Sequence, residues 1–199
     1  MAKVIQFPTP GLEKFGFKPV RKKGEDNKIK PAQLDLFSAG KVVSLHKLSR
    51  FEEALMLDDL GDKKAKEVYQ KAIAEGDSVA DAYCNLGILE SQEGNISKAI
   101  DCFTKCLKEN PRHFEAHYNL ANLYAEVGNL ALAKVHYQIS IEVEPYFPNS
   151  HFNLGLTLAM NKEIEEAVHS LQSYCRLVSS HDRIQAEELI ASLSRSIGG

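Results

Sequence analysis

The chain has 199 residues, a length that fits one domain or two small ones. Its 44% hydrophobic and 26% charged residues are typical of a folded globular protein and exclude wholesale disorder. The net charge of -3 argues against direct nucleic-acid binding, because dedicated nucleic-acid binders are usually basic. No apolar run approaches the roughly 20 residues of a membrane span, and none is typical of a signal peptide, so we expect a cytoplasmic protein without membrane contact.

The first 44 residues differ from the rest in composition. Proline and glycine interrupt any periodicity, and residues 1–50 contain 11 Lys and Arg against 4 Asp and Glu. We therefore predict a flexible basic arm over 1–44. Within this arm lies a segment similar to the short motif by which bacterial replication proteins bind the sliding clamp, namely Gln33, Leu34, Asp35, Leu36 and Phe37. The alternative is that its apolar side chains pack onto the first helix pair.

Beyond the arm, the chain repeats itself every 34 residues. The segments 85–87, 119–121 and 153–155 read Asn-Leu-Gly, Asn-Leu-Ala and Asn-Leu-Gly, and Ala99 recurs as Ala133 and Ala167. In the first unit, the apolar spacing predicts amphipathic helices over 83–93 and 96–109. Asn95 and Asn129 stand where a helix N-cap is expected.

A 34-residue period with Leu-Gly near its start and Pro near its end resembles the tetratricopeptide repeat. The resemblance covers about 80–179 and implies an all-α, right-handed solenoid of antiparallel helix pairs. We predict a degenerate first pair over 45–77, three repeats over 78–179 and a capping helix over 180–199.

The resemblance also implies a concave groove lined by the first helix of each unit. The residues that it assigns to this groove are Asp81, Cys84, Asn85, Ile88, Ser91 and Gln92, then Glu115, Tyr118, Asn119, Asn122, Ala125 and Glu126, then Asn149, Phe152, Asn153, Leu156, Ala159 and Met160. The expected peptide-binding residues are Asn85, Tyr118, Asn119, Asn122, Phe152, Asn153 and Leu156. Asn85, Asn119 and Asn153 occupy equivalent positions of the three repeats and are called the asparagine ladder below. Because a carboxamide both donates and accepts hydrogen bonds, this ladder could bind a peptide backbone. The alternative is that each asparagine only bonds the neighbouring helix.

Signatures of catalysis are missing from the sequence. No nucleotide-binding or serine-hydrolase motif is present, so we expect no cofactor, no catalytic residues and no enzyme activity. His113 and His117 have the i, i+4 spacing of a metal-binding helix, but His117 occupies a packing position of the repeat, so no metal site is predicted. The four cysteines form no CxxC pair and are expected to be free thiols.

These observations predict a non-enzymatic scaffold or adaptor that holds an extended peptide or helix of a protein partner in its groove. The alternative is an accessory factor in DNA replication or transcription, recruited to a sliding clamp through residues 33–37. A peptide clamp for a C-terminal carboxylate is excluded, because the groove positions contain no Lys or Arg.

Overall fold

The computed structural model describes residues 48–197, and every regular element within this range is an α-helix. Nine helices lie within these residues, and the first eight form antiparallel pairs. Their bounds are α1 Arg50–Asp59, α2 Ala65–Glu75, α3 Val79–Gln92, α4 Ile96–Glu109, α5 Phe114–Glu126, α6 Leu130–Val143, α7 Pro148–Met160, α8 Ile164–Leu177 and α9 Ile184–Ile197. The all-α solenoid predicted from the period is confirmed, and α4 has the predicted bounds.

The turn inside each repeat is fixed by one residue with a left-handed backbone. Gly94 and Gly128 have φ of +78° and +80°, and Lys162 takes the same position in the third repeat with φ of +65°. Asn95 and Asn129 follow as N-cap residues, as predicted. Only Asn129 caps with its side chain, because the amide of Asn95 instead donates to the carboxylate of Glu90 at 2.9 Å. The predicted N-cap position of Asn95 is therefore confirmed, and its side chain bonds Glu90 and not the helix.

Small residues let the two helices of a repeat approach closely. A Cβ atom built on Gly87 would lie 2.8 Å from Cε1 of Phe103, and one built on Gly155 would lie 2.7 Å from Cγ of Leu171. Neither distance is compatible with a side chain, so glycine is required where these helices cross. The register assigned from the sequence is therefore the register of the structure.

The core is divided along the stack rather than gathered at one centre. One cluster is centred on Tyr69, a second on Phe103 and a third on Tyr137, each from the second helix of a pair. Consecutive helices pack against each other, and in addition α3 contacts α5 and α5 contacts α7. The first helices thus form an inner layer, and the second helices form an outer one.

The two ends of the described range are closed by further helices. At the N-terminal end, Ser49 and Glu52 form a reciprocal capping box on α1, and the backbone N–H of Phe51 donates to Asp77 at 2.8 Å. At the other end, α9 packs against α8 and buries Ala186 and Leu193 completely. None of these helices has the length and apolar character needed to span a membrane.

Candidate binding groove

The asparagine ladder lies beneath the surface of the inner layer. The exposed fraction is 0% for Asn85 and Asn119 and 1% for Asn153, and Tyr118 and Asn122 are buried to the same degree. This burial disfavours the expectation that these side chains present hydrogen-bonding groups to a peptide, which stays a prediction. Leu156 is also buried, so Phe152 is the one member of the seven expected peptide-binding residues that is partly exposed.

The ladder instead joins neighbouring repeats. Asn85 Nδ2 donates to the Tyr69 hydroxyl at 3.1 Å, and that hydroxyl donates to Asp58 at 3.1 Å. Asn119 Nδ2 makes a longer contact of 3.7 Å with the Cys84 sulfur. The bonds made by the two asparagines cross from one helix pair to the next, so the structure favours the alternative in which the asparagines bond the neighbouring helix.

At Asn153, the third residue of the ladder, more hydrogen bonds join the neighbouring repeats. Asn153 Nδ2 donates to the Asn122 carbonyl oxygen at 3.0 Å and lies 3.2 Å from the Tyr118 hydroxyl. The Tyr137 hydroxyl donates to the same Asn122 oxygen at 2.6 Å. Burial raises the pKa of both tyrosines, which keeps their hydroxyl groups neutral. Among the described residues, Asn153 Oδ1 is buried without a hydrogen-bond partner, which costs about 1–3 kcal/mol.

The accessible part of the inner layer is its two edges. Gln92, Glu126 and Met160 lie at the C-terminal ends of the first helices and are exposed, and the exposed fraction of Met160 is 40%. At the opposite edge Asn149 is exposed, whereas Asp81 and Glu115 are partly buried. The accessible edges therefore carry Gln92 and Glu126 along the first two repeats and Asn149 and Met160 at the third.

The two histidines at i, i+4 point to different partners. His117 Nε2 donates to the Pro111 carbonyl at 3.1 Å, which leaves Nδ1 to accept a hydrogen bond from His136 Nδ1 at 2.9 Å. Burial lowers the pKa of both His117 and His136, the latter to about 4, and a charge on His117 would disfavour one on His136. The predicted packing role of His117 is confirmed.

His113 instead lies beside two cysteines, an arrangement that sequence reasoning missed. The ligand atoms of Cys84, Cys106 and His113 all lie within 4.8 Å of one another, and the three side chains are buried. They come from α3, α4 and the N-cap of α5. No disulfide joins the four cysteines, all of which lie within the described residues, and Cys84, Cys102 and Cys106 are buried.

Carboxylates surround the imidazole of this cluster. His113 Nε2 lies 3.1 Å from Asp81 Oδ1, and Nδ1 lies 3.4 Å from Glu115 Oε2. Burial opposes charge on His113, but the hydrogen bonds with Asp81 and Cys106 raise its pKa to about 10. The hydrogen bond with Cys84 lowers the pKa of Cys106 to about 7, against the effect of burial. In the described conformation, however, the backbone N–H of Ala116 donates to His113 Nδ1 at 3.2 Å as the N-cap bond of α5. Only an unprotonated nitrogen can accept that bond, so the imidazole proton lies on Nε2 beside Asp81.

Residues 33–37 lie outside the described residues, so the sliding-clamp motif stays a prediction. The same holds for the whole predicted arm over 1–44.

Comparisons with known proteins agree with this architecture. Sequence models described as Tetratricopeptide repeat match residues 80–113 and 102–134. No curated protein matches the chain by sequence. Among solved structures, MamA AMB-1 has 19% identity over 75% of this chain and 81% of that chain, with a TM-score of 0.64. TTC0263, a thermophilic TPR protein in Thermus thermophilus, has 20% identity over the same shares, with a TM-score of 0.57.

A third similar structure contains a bound peptide. The first TPR of Spaghetti (RPAP3), bound to the HSP90 peptide SRMEEVD, has 18% identity over 60% of this chain and 94% of that chain. Its TM-score is 0.56. At these identities the likeness shows a shared fold of stacked helix pairs.

Proposed function

We propose that this chain, which matches tetratricopeptide-repeat models over 80–134, is a non-enzymatic scaffold that binds a segment of a protein partner along the inner layer of its helices. The observation that supports this most is the continuous layer formed by α3, α5 and α7, whose exposed edges run through all three repeats. A structurally similar protein binds a peptide, which is the same class of ligand.

The charge of the groove indicates which peptides fit. Glu126 places negative charge at the exposed edge of the second repeat, and Phe152 and Met160 offer apolar surface at the third. A partner segment with Lys or Arg at one end and an apolar side chain at the other matches this surface. The peptide SRMEEVD has three acidic residues, so this groove would repel it.

The experiment is selection from a display library of random peptides on the immobilised wild-type protein. We expect enrichment of basic peptides that contain an apolar residue. Glu126→Lys combined with Met160→Ala should weaken binding of the selected peptides about tenfold or more, since charge complementarity and apolar contact are both lost. The matched control is Glu142→Lys with Val135→Ala, which changes the same residue class on exposed positions of the outer helix α6.

Comparing the two double variants distinguishes peptide binding to the inner layer from peptide binding to the outer layer. If the selected peptides bind the inner-layer variant as tightly as wild type, the proposed groove is wrong. Loss of binding in the α6 variant alone would move the interaction surface to the outer layer. Thermal melting of both variants shows whether either change acts through stability, and the exposure of all four side chains predicts little change.

The second candidate function rests on residues 33–37 alone. A Gln-Leu-Asp-Leu-Phe segment would place Leu36 and Phe37 in an apolar pocket of a sliding clamp, with Gln33 fixing the register. Short linear motifs must order on binding, so an affinity around micromolar is expected.

A peptide spanning 28–42 should then bind a purified bacterial clamp nearly as well as the full chain does. Leu36→Ala with Phe37→Ala should abolish that binding and leave the melting temperature unchanged. A peptide that does not bind, together with a double variant that melts early, would show instead that these side chains pack onto the helices.

A further inference from the structure

We propose that Cys84, Cys106 and His113 bind one Zn²⁺ ion that joins the first repeat to the second. The three residues lie on α3, on α4 and at the N-cap of α5, so an ion bound to them would connect both helices of one repeat to the first helix of the next. The exposed fractions are 0%, 0% and 4%, which places the site inside the stack.

The spacing of the ligand atoms is close to that of a tetrahedral site. Zn–S bonds of about 2.3 Å and Zn–N bonds of about 2.0 Å set neighbouring ligand atoms roughly 3.5–3.8 Å apart. The two sulfur atoms and the imidazole nitrogen already lie within 4.8 Å of one another. Small side-chain movements therefore bring them to a common ion, and thiolate with imidazole is a donor set that Zn²⁺ prefers.

Carboxylates stand beside either ring nitrogen of His113. Asp81 is 3.1 Å from Nε2 and Glu115 is 3.4 Å from Nδ1. The backbone N–H of Ala116 donates to Nδ1 at 3.2 Å, a bond that an ion on Nδ1 would replace. Asp81 would then hold the proton of Nε2, which orients the ring and increases its basicity. The second carboxylate is then close enough to complete four-coordination, since Zn²⁺ also accepts Asp and Glu oxygen.

The next interface along the stack shows that packing alone does not require these residues. A shift of 34 residues converts Cys84, Cys106 and His113 to Tyr118, Ser140 and Phe147. The rings of Tyr118 and Phe147 pack edge to face with centroids 5.0 Å apart. The stack is thus closed by aromatic contacts at one interface, whereas all three equivalent positions at the other hold potential zinc ligands.

Binding involves no oxidation or reduction. Two thiol groups give up their protons, Zn²⁺ accepts a lone pair from each sulfur and from one imidazole nitrogen, and the released protons pass to solvent. The competing chemistry at this site is a disulfide between Cys84 and Cys106, which would need an oxidant and would leave His113 unligated.

The experiment titrates the reduced, metal-free full chain with Zn²⁺, and in parallel with Co²⁺ as a spectroscopic probe. We expect one ion per chain, a rise in melting temperature and the thiolate-to-cobalt charge-transfer absorption. Cys84→Ser, Cys106→Ser and His113→Gln should each weaken Zn²⁺ binding by more than about 100-fold, and Asp81→Asn by about 10–100-fold. Cys102→Ser is the matched control, because Cys102 is a buried cysteine one turn from Cys106 on the same helix.

Several outcomes would overturn the proposal. Absence of stoichiometric Zn²⁺ binding, a Cys102→Ser variant that loses binding equally, or cobalt spectra without thiolate absorption would each do so. If the ligand variants fail to fold, cysteine alkylation of the wild-type chain still tests the proposal. Zn²⁺ must then slow alkylation of Cys84 and Cys106 while leaving that of Cys175 unchanged, and equal reactivity with and without Zn²⁺ would reject the site. Disulfide formation between Cys84 and Cys106 at the same rate with and without Zn²⁺ would also reject it.

Discussion

The two interfaces between consecutive repeats are built from different chemistry on the same backbone plan. Between the first and second repeats, Cys84, Cys106 and His113 bring sulfur and imidazole together with the carboxylate of Asp81. Between the second and third repeats, Phe147 packs on Tyr118 and lies 5.5 Å from the ring of Phe114, centroid to centroid. At these positions the first interface has sulfur, imidazole and carboxylate groups, whereas the second has aromatic rings beside the hydrogen bond between Asn153 and Asn122.

The repeat pattern therefore specifies how the helices cross but not which side chains make the contacts between repeats. Within each pair, small residues at the crossing are retained, as Gly87 and Gly155 show. Between pairs, the side chains need only fill the space, since each interface is shared by two neighbours alone. The two interfaces should therefore respond differently to substitution, most strongly at Phe147.

The aromatic interface should depend most on one side chain. Phe147→Ala removes contacts with Phe114 and Tyr118 and should lower the free energy of unfolding by about 3–5 kcal/mol. His113→Ala at the equivalent position should cost less, about 1–3 kcal/mol, because it removes hydrogen bonds rather than a large apolar surface. Urea denaturation in the presence of a chelator measures both. Equal losses would mean that the two interfaces contribute alike despite their chemistry.

Inside the helix pairs, equivalent substitutions in different repeats should have similar effects on stability. Gly87→Leu and Gly155→Leu should each destabilise by about 2–3 kcal/mol or more, because the new side chains overlap Phe103 and Leu171. Thermal melting followed by circular dichroism measures both, with the exposed Gln92→Leu on α3 as control. A Gly87→Leu melting temperature equal to that of wild type would refute the register of the repeat.

The asparagine ladder crosses both interfaces, so substitutions in it show whether its role at each interface is structural. Asn153→Ala should destabilise by about 1–2 kcal/mol, since Asn122 and Tyr118 lose a donor while the unpartnered Oδ1 is also removed. Asn119→Ala should also lower the melting temperature, and neither variant should weaken binding of peptides selected on the wild-type protein. Weakened peptide binding at unchanged stability would restore the ladder to the groove.

Acid should destabilise the second repeat more than the first. Because burial lowers the folded-state pKa of His136 to about 4, the unfolded chain, with a His pKa of about 6.5, binds more protons between these values. Stability should therefore fall as pH decreases from about 6.5 to about 4, by about 1–2 kcal/mol after allowance for the partly exposed ring. The first repeat has Tyr83 and Cys102 at the positions of His117 and His136, and neither gains charge there.

The measurement is urea unfolding across this pH range. His136→Phe keeps an aromatic ring but cannot be protonated, so its stability should vary less with pH than that of wild type. His169→Gln, at an exposed position of α8, serves as the control. Identical pH dependence in wild type and His136→Phe would show that other groups titrate instead.

The sequence predicts the helices well because their determinants are local. The apolar spacing placed α4 at its observed bounds, whereas α3, predicted over 83–93, spans Val79–Gln92 and so begins one turn earlier. The local pattern did not reveal that Lys162 adopts a left-handed backbone at the position of Gly94 and Gly128.

The side chains of the inner layer were harder to place. Position within a helix identifies which face a residue occupies, but not how closely the next repeat approaches that face. Asn85, Asn119 and Asn153 were therefore assigned to an open groove, although neighbouring repeats bury them. The cluster of Cys84, Cys106 and His113 was missed because its members are separated along the chain and lie on three helices. Comparing each residue with its equivalent 34 positions later would have exposed it.

Contacts that run mainly between neighbouring pairs connect the molecule in series. A pulling force applied to its two ends therefore acts on every interface at once, and the weakest one opens first while the others remain closed. Extension under tension is set by that single interface rather than by the sum of all contacts. An ion bound by Cys84, Cys106 and His113 would strengthen one point of the chain of repeats and move the point of mechanical failure elsewhere.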